Sequence, residues 1–331
     1  MGISNDRELL AIASYSRHPP VPNLLLASVH FLLLKGSNHK LSSFYPDLNR
    51  SPDQSDPYPE FRAFCLDYRE TIRDLLRTYL VQTNEAQRSA LLLPAYQAIA
   101  SQTKRPLALV EIGASAGLNL LWDRYAYDYG DGRIYGDIES EVKLECSLRG
   151  QLLPPSVEDF PRSGFGVGID LNPLDVHNED DTRWLRALVW PEHRKRMRLL
   201  ESAVRVGRRH PLNLLRGDAL DVLPEALQMT PDDCTAVVLS TFTLNQFSKE
   251  SREKLSPTRA TRAPERTPSR VYRIRRQRSA SRASRCALQR WKERGQSLSQ
   301  MRASWGVARM GISARTRPFI SVQLAGGTIS G

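Results

Sequence analysis

Cysteines at metal-binding or redox spacing are missing from this chain: Cys65, Cys146, Cys234 and Cys286 are scattered over 331 residues with no C-x-x-C among them. That spacing excludes a zinc ribbon and a disulfide scaffold, and it makes a reducing cytoplasm the expected compartment. No metal site is expected either. Long apolar runs are missing too, since the longest, residues 24–34, falls well short of the roughly 20 residues of a membrane helix. The start lacks the basic-then-apolar order of a secretory signal. It opens Met-Gly, but Asp6 stands where a myristoylation signal takes Ser or Thr. No membrane partner is expected, and no internal repeat is found. What remains is a composition with 25% charged and 40% hydrophobic residues. Such a composition implies a soluble globular protein of one large domain or two modest ones.

The net charge of +11 is unevenly placed. Acid is scarce at one end: residues 251–331 hold 17 Arg and 2 Lys against 3 Glu and no Asp, a net of +16. The first 250 residues therefore carry 28 basic and 33 acidic groups, a net of −5. A mildly acidic body bears a strongly basic tail, and the two are read separately.

Residues 1–104 read as a helical cap. Residues 23–34 are apolar nearly all round, as in a helix buried on most sides. Phe61, Phe64, Tyr68, Ile72, Leu75, Leu76 and Tyr79 recur at three and four, the period of an amphipathic helix. Another helix is expected over residues 83–98. Residues 105–250 read as a Rossmann-like, doubly wound α/β core. Its strands are expected at Leu107-Ala108-Leu109-Val110, at residues 165–170, at residues 212–218 and at residues 235–240. Helical sequence over residues 181–208 is expected to break at Pro191. An insertion at about residues 130–163 shows the two-residue alternation Val142, Leu144, Cys146, Leu148, taken as one arm of a β-hairpin with Arg133-Ile134-Tyr135.

The glycine turn Glu111-Ile112-Gly113-Ala114-Ser115-Ala116-Gly117-Leu118-Asn119 carries the most chemistry, and it admits four readings. In the first it resembles the acid-x-Gly-x-small-x-Gly turn of class I S-adenosylmethionine methyltransferases. Glu111, Gly113, Ser115, Gly117 and Asn119 then approach the methionine part of the cofactor. Asp170, ending the second strand, accepts the ribose hydroxyls, and Asp218-Ala219, after the third, meets the adenine. All three acids fall at carboxyl ends of expected strands, where open α/β sheets bind ligands. A dinucleotide fingerprint fits poorly, because Ser115 and Leu118 occupy its second and third glycine places. The third reading is a serine hydrolase: Gly113-Ala114-Ser115-Ala116-Gly117 matches the Gly-x-Ser-x-Gly nucleophile elbow, with Asp170 or Asp175 and His177, His193 or His210 as partners. The fourth is a plain strand–helix corner. Outside enzymes, a non-catalytic nucleotide-binding or interaction module uses the same turn.

Pro22-Asn23-Leu24-Leu25-Leu26-Ala27-Ser28-Val29-His30, Gln82-Thr83-Asn84-Glu85 and the glycine turn with Asp123-Arg124-Tyr125 resemble the bacterial family Domain of Unknown Function 2332. The likeness spans residues 20–247. It implies a cytoplasmic α/β protein with a methyltransferase-like core and, as partner, a small-molecule methyl acceptor it does not identify. Methyl transfer from a sulfonium needs in-line placement more than acid–base chemistry, so no catalytic residue is singled out. Tyr127, among Tyr125 and Tyr129, is a candidate for the substrate entrance or for an aromatic corner. Asn245 and Gln246, past the fourth strand, are candidates for binding the acceptor, with a helix N-cap by Thr243 or Asn245 as the simpler account. Thr83 or Asn84 is a candidate helix N-cap, with a pocket-lining role for residues 82–88 as the alternative.

The tail, residues 251–331, is expected to be irregular. Val271-Tyr272-Arg273-Ile274 and Phe319-Ile320-Ser321-Val322-Gln323-Leu324 are its only strand candidates. A genuine basic arm would bind nucleic acid through phosphate contacts, and a solvated extension is the neutral rival. Arg and Ser enrichment without Asp also fits an out-of-frame reading of a GC-rich gene. A frameshift near residue 255 is the expectation favoured here.

Overall fold

The computed structural model describes residues 3–147, 160–241, 243–248, 250–251, 255, 270–275, 308–311 and 319–325. In chain order, helices α1 (Arg7–Ala13), α2 (Val21–Leu34), α3 (Tyr58–Asp67), α4 (Arg69–Thr78) and α5 (Arg88–Thr103) come first. Strands β1 (Leu107–Ile112), β2 (Ala126–Asp128), β3 (Ile134–Gly136), β4 (Lys143–Glu145) and β5 (Ser163–Asp170) come next. Then come α6 (Glu179–Ala187), α7 (Arg194–Arg209), β6 (Asn213–Arg216), α8 (Ala219–Gln228) and β7 (Thr235–Thr241). Last are β8 (Arg270–Arg275), β9 (Ala308–Gly311) and β10 (Phe319–Ala325). The chain forms two compact units that interleave: Met1–Asn84 with Leu174–Arg208, and Glu85–Pro173 with Arg209–Gly331. The division differs from 1–104, 105–250 and 251–331: α5 joins the sheet unit, and α6 and α7 join the helical one.

The helical unit is organised around α2. Pro22 sits in its first turn, where the missing N–H costs nothing. Leu24, Leu25, Val29, Phe31, Leu32 and Leu33 are all buried, which is why the helix reads apolar on every face. The period-of-3.6 stretch over residues 61–79 divides at Tyr68 into α3 and α4. Its buried set is Phe61, Phe64, Ile72, Leu75 and Leu76. Asp6 caps α1, accepting the N–H groups of Glu8 and Leu9 at 2.9 and 3.1 Å. It also takes Tyr58 Oη and Arg62 Nε, tying α1 to α3. Those bonds, the Leu9 N–H foremost and then Arg62 and Tyr58, lower Asp6 to about 2. Asn178 caps α6, whose acidic first turn suits the helix dipole. The break between α6 and α7 contains Pro191, as expected.

The sheet unit is α/β. Its strands run in the order β6-β5-β1-β7-β10-β8-β9, and β6, β5, β1 and β7 are mutually parallel. Ordered along the chain, these four stand 3-2-1-4, the arrangement of a Rossmann-like sheet. β1 is buried on all six residues, as a strand covered on both faces must be. α8 packs Ala219, Ala226 and Leu227 against Val110, Ile112, Val167 and Ile169.

Several expectations need correction. Residues 134–136 and 143–145 do not pair with each other. Both flank β2, β3 antiparallel through the tight turn at Gly130 and Gly132, β4 parallel after a crossover. Expecting two arms of one hairpin overlooked Ala126–Asp128, too short to show a period. The helix expected over residues 83–98 begins at Arg88, where Gln87 supplies no side-chain cap, so neither Thr83 nor Asn84 is the N-cap. The tail is not wholly irregular either. β8 and β10 fall on the two segments singled out as strand candidates, and β10 lies parallel beside β7.

Candidate functional site

β6, β5, β1 and β7 end at one edge of the sheet, and the segment after each strand decides what that edge can hold. After β1 the chain turns through three left-handed residues, Gly113 (φ 74°), Ser115 (φ 54°) and Gly117 (φ 73°). Only Ser115 has a Cβ, which the left-handed region disfavours by roughly 1–2 kcal/mol. The turn is held by the neighbouring strand. Gly113 and Ala114 donate their N–H groups to the Ile169 carbonyl at 2.8 and 3.1 Å. Ser115 N–H donates to Asp170 Oδ2 at 2.8 Å, while Asp170 Oδ1 accepts Asn172 N–H at 2.9 Å. Asp170 thus clamps the turn. Gly168 on β5 makes room for it, since a Cβ there would collide with Ala114. The helix expected after Gly117 is a 3-10 segment, Leu118–Arg124, with a non-helical residue at Leu121.

Glu111 and Asn119 turn inward. Both are fully buried, and Asn119 Nδ2 donates to Glu111 Oε1 at 2.8 Å. Glu111 Oε2 has no hydrogen-bond partner among the described residues. Arg88, opening α5, donates Nη1 to Thr241 Oγ1 at 3.1 Å and acts electrostatically on Glu111. Burial pushes Glu111 up to about 7, against the pull of the Asn119 bond and the Arg88 charge. A carboxyl so placed gains or loses its proton near neutrality.

On the outer side of the edge, Asp170 is half-buried and Leu171 beside it is 61% exposed. Arg216, ending β6, donates Nη1 to Asn172 Oδ1 at 3.0 Å. Asp218 is exposed and caps α8, its Oδ1 accepting Leu220 N–H at 2.8 Å; Ala219 is buried in the core. The edge therefore brings together the backbone of the glycine turn, Asp170, Leu171 and Asp218. It does not present Glu111 or Asn119, which bond each other below the surface. Over Gly113 lies the side chain of Thr243: a Cβ on Gly113 would meet Thr243 Cγ2 at 2.5 Å.

Tyr127 is not at an entrance. It is fully buried and its hydroxyl donates to the Trp122 carbonyl at 2.5 Å. Tyr125 and Tyr129 likewise donate to Leu118 and Ala90 carbonyls, and the Tyr129 ring packs edge-on against Tyr135. Asn245 lies in the 3-10 turn Thr243–Asn245, which the Gln246 N–H closes onto the Thr243 carbonyl; Gln246 is exposed. Ser115 has the backbone strain of a nucleophile elbow, but its residue is only 3% exposed. Asp170 accepts the main-chain N–H of Ser115, and Asp175 Oδ1 accepts that of His177. His177 and His193 belong to the helical unit, and His210 stands near Asp123.

Sequence reading gave no individual role to Arg88 or Thr241, and it took Thr243 for a helix cap rather than for the residue that covers Gly113. Leu171 left a signal, an apolar residue directly after a strand-ending acid. Among the described residues, Cys65, Cys146 and Cys234 are free, no group of three or more His, Cys, Asp or Glu could hold a metal, and no helix is long and apolar enough to cross a membrane.

One family model, described as "Uncharacterized protein conserved in bacteria (DUF2332)", matches residues 3–307. The match passes residue 247, where the resemblance was expected to end, and takes in most of the basic stretch. A frame change near residue 255 does not lead one to expect that. No curated protein and no solved structure matches the chain.

Proposed function

The chain belongs to the bacterial family DUF2332, and from that premise we propose that it is an S-adenosylmethionine-dependent, methyltransferase-like enzyme. One observation carries the reading. Glu111, Asp170 and Asp218 stand at or just past the carboxyl ends of three adjacent parallel strands, β1, β5 and β6, next to a left-handed glycine turn. In an open α/β sheet that edge is where ligands lie.

The adenosyl half fits the residues present. Asp170 suits two ribose hydroxyls, exposed Leu171 offers an apolar face for a base, and Asp218 is an exposed acceptor for an exocyclic amine. The methionine half fits less well, because Thr243 covers Gly113 and Asn119 is committed to Glu111. When bound, the cofactor supplies a methyl group on a sulfonium, ready for in-line attack. The protein's part is to orient an acceptor rather than to move a proton.

The test is thermal unfolding with and without S-adenosylhomocysteine. At about 100 times its dissociation constant a ligand adds roughly 2.7 kcal/mol to the folded state, a resolvable upward shift. Asp170→Asn keeps one carbonyl acceptor for the turn while removing the carboxylate, and it should lose the shift yet still melt cooperatively. No shift in the unmodified chain sinks the reading.

A further inference from the structure

The helical unit holds a cavity of about 450 Å³, within the range of roughly 300–1,000 Å³ usual for small-molecule sites. Every residue lining it lies in that unit. Most of the wall is apolar or aromatic, including Leu26, Phe44, Phe61 and Trp190. The polar groups are few, and their commitments differ.

His30 forms part of the wall and is fixed. Its Nε2 lies 2.9 Å from Asp47 Oδ2 and its Nδ1 3.2 Å from the Ala187 carbonyl, so both ring nitrogens are taken. Tyr58 is spent on Asp6, and the Asp53 carboxylate accepts from Ser55. Tyr45 is different. Its ring sits 5.2 Å from that of His30, and its hydroxyl has no hydrogen-bond partner among the described residues. Burial, first of all, and then the negative charges of Asp47 and Glu192 raise this phenol above its ordinary range, so it stays an O–H. Glu192 lines the cavity and is itself exposed. No Lys or Arg is among the lining residues.

A carboxylate or phosphate entering here would meet no uncommitted positive group. An ammonium would meet a phenol oxygen able to accept its N–H, a carboxylate to balance its charge, and aromatic faces that attract cations. We propose that this cavity is a binding site for a small organic cation: an amine carried on an apolar or aromatic body. The inference rests on the helical unit alone and stands or falls apart from the adenosyl reading.

Calorimetric titration of the full chain tests it, with phenethylamine as probe and phenylacetate as its anionic counterpart. The amine binds, and the acid binds at least about tenfold more weakly. Glu192→Gln and Tyr45→Phe each weaken the amine by about tenfold, the usual worth of a hydrogen bond to a charged group. Glu192 is exposed and Tyr45→Phe keeps the ring, so both variants retain the wild-type melting temperature. Three results would overturn the proposal: phenylacetate binding as well as phenethylamine, neither variant changing the amine's affinity, or no binding of the amine up to millimolar concentration.

Discussion

Replacing Glu111 by glutamine changes the protein's stability in a pH-dependent way whose sign the structure fixes. Burial holds the carboxyl at about 7 against an ordinary 4.5. Between those values the folded state binds a proton that the unfolded chain has released. Stability contributed by this group is therefore full below about pH 4.5 and lost as pH rises through 7. A rise from 4.5 to about 7, at about 1.4 kcal/mol for each tenfold step, comes to about 3–4 kcal/mol. Glutamine is neutral throughout and keeps the carbonyl that Asn119 Nδ2 bonds. Glu111→Gln should match the parent near pH 4.5 and exceed it by about 3–4 kcal/mol at pH 8. Urea unfolding by circular dichroism at half-unit intervals reads the difference, in which all other titrating groups cancel. Parallel profiles, or a glutamine variant weaker at pH 8, would mean that attraction to Arg88 outweighs desolvation.

Gly113→Ala combines a left-handed backbone with a collision against Thr243, and should cost about 2–5 kcal/mol. Adding Thr243→Gly should return all but about 1–2 kcal/mol in the same denaturation assay. Asp47→Ala leaves a nitrogen of buried His30 without its hydrogen-bond partner and should lower stability by about 1–3 kcal/mol, read from chemical denaturation. Tyr127→Phe leaves the Trp122 carbonyl short of a donor, costing about 1–2 kcal/mol without altering any shift produced by S-adenosylhomocysteine. A serine-directed fluorophosphonate should leave buried Ser115 unlabelled; stoichiometric labelling found by mass spectrometry would revive the hydrolase.

The parallel strands were legible because each is a short apolar run, as burial on both faces demands, and three of the four are closed by Gly or an acid. Residues 165–170 and 235–240 differ from β5 and β7 by at most two positions at an end. Glu111, Asp170 and Asp218 were legible for the same reason: a strand end is marked by where its hydrophobicity stops. Which way each acid faces was not. Glu111 points into the protein because Asn119, eight residues on, folds back beneath it. Asp218 was read for a ligand and serves as a helix cap, since a strand-to-helix turn calls for the same residue type in both roles. Arg88 and Thr241 meet across more than 150 residues of sequence, a distance no local pattern encodes. The pairing of β2 with both β3 and β4 depends on three-residue strands, too short for a period to show.

The interleaving of the two units bears on how the chain comes off the ribosome. Trp184 Nε1 bonds the Leu80 carbonyl, and His30 Nδ1 meets that of Ala187, so the helices of residues 3–84 finish their packing with residues 174–208. At about 5–20 residues per second, α1 to α4 wait roughly 6–25 s for that second segment, with apolar α2 part-covered meanwhile. The first strands of the sheet emerge inside this interval. Synthesis therefore presents both units half-made at once, and neither can be released as a finished domain before the other has begun. A fragment ending at residue 84 holds the first segment of the helical unit without its closing piece, whereas one starting at residue 85 holds the whole sheet unit together with that orphaned closing piece.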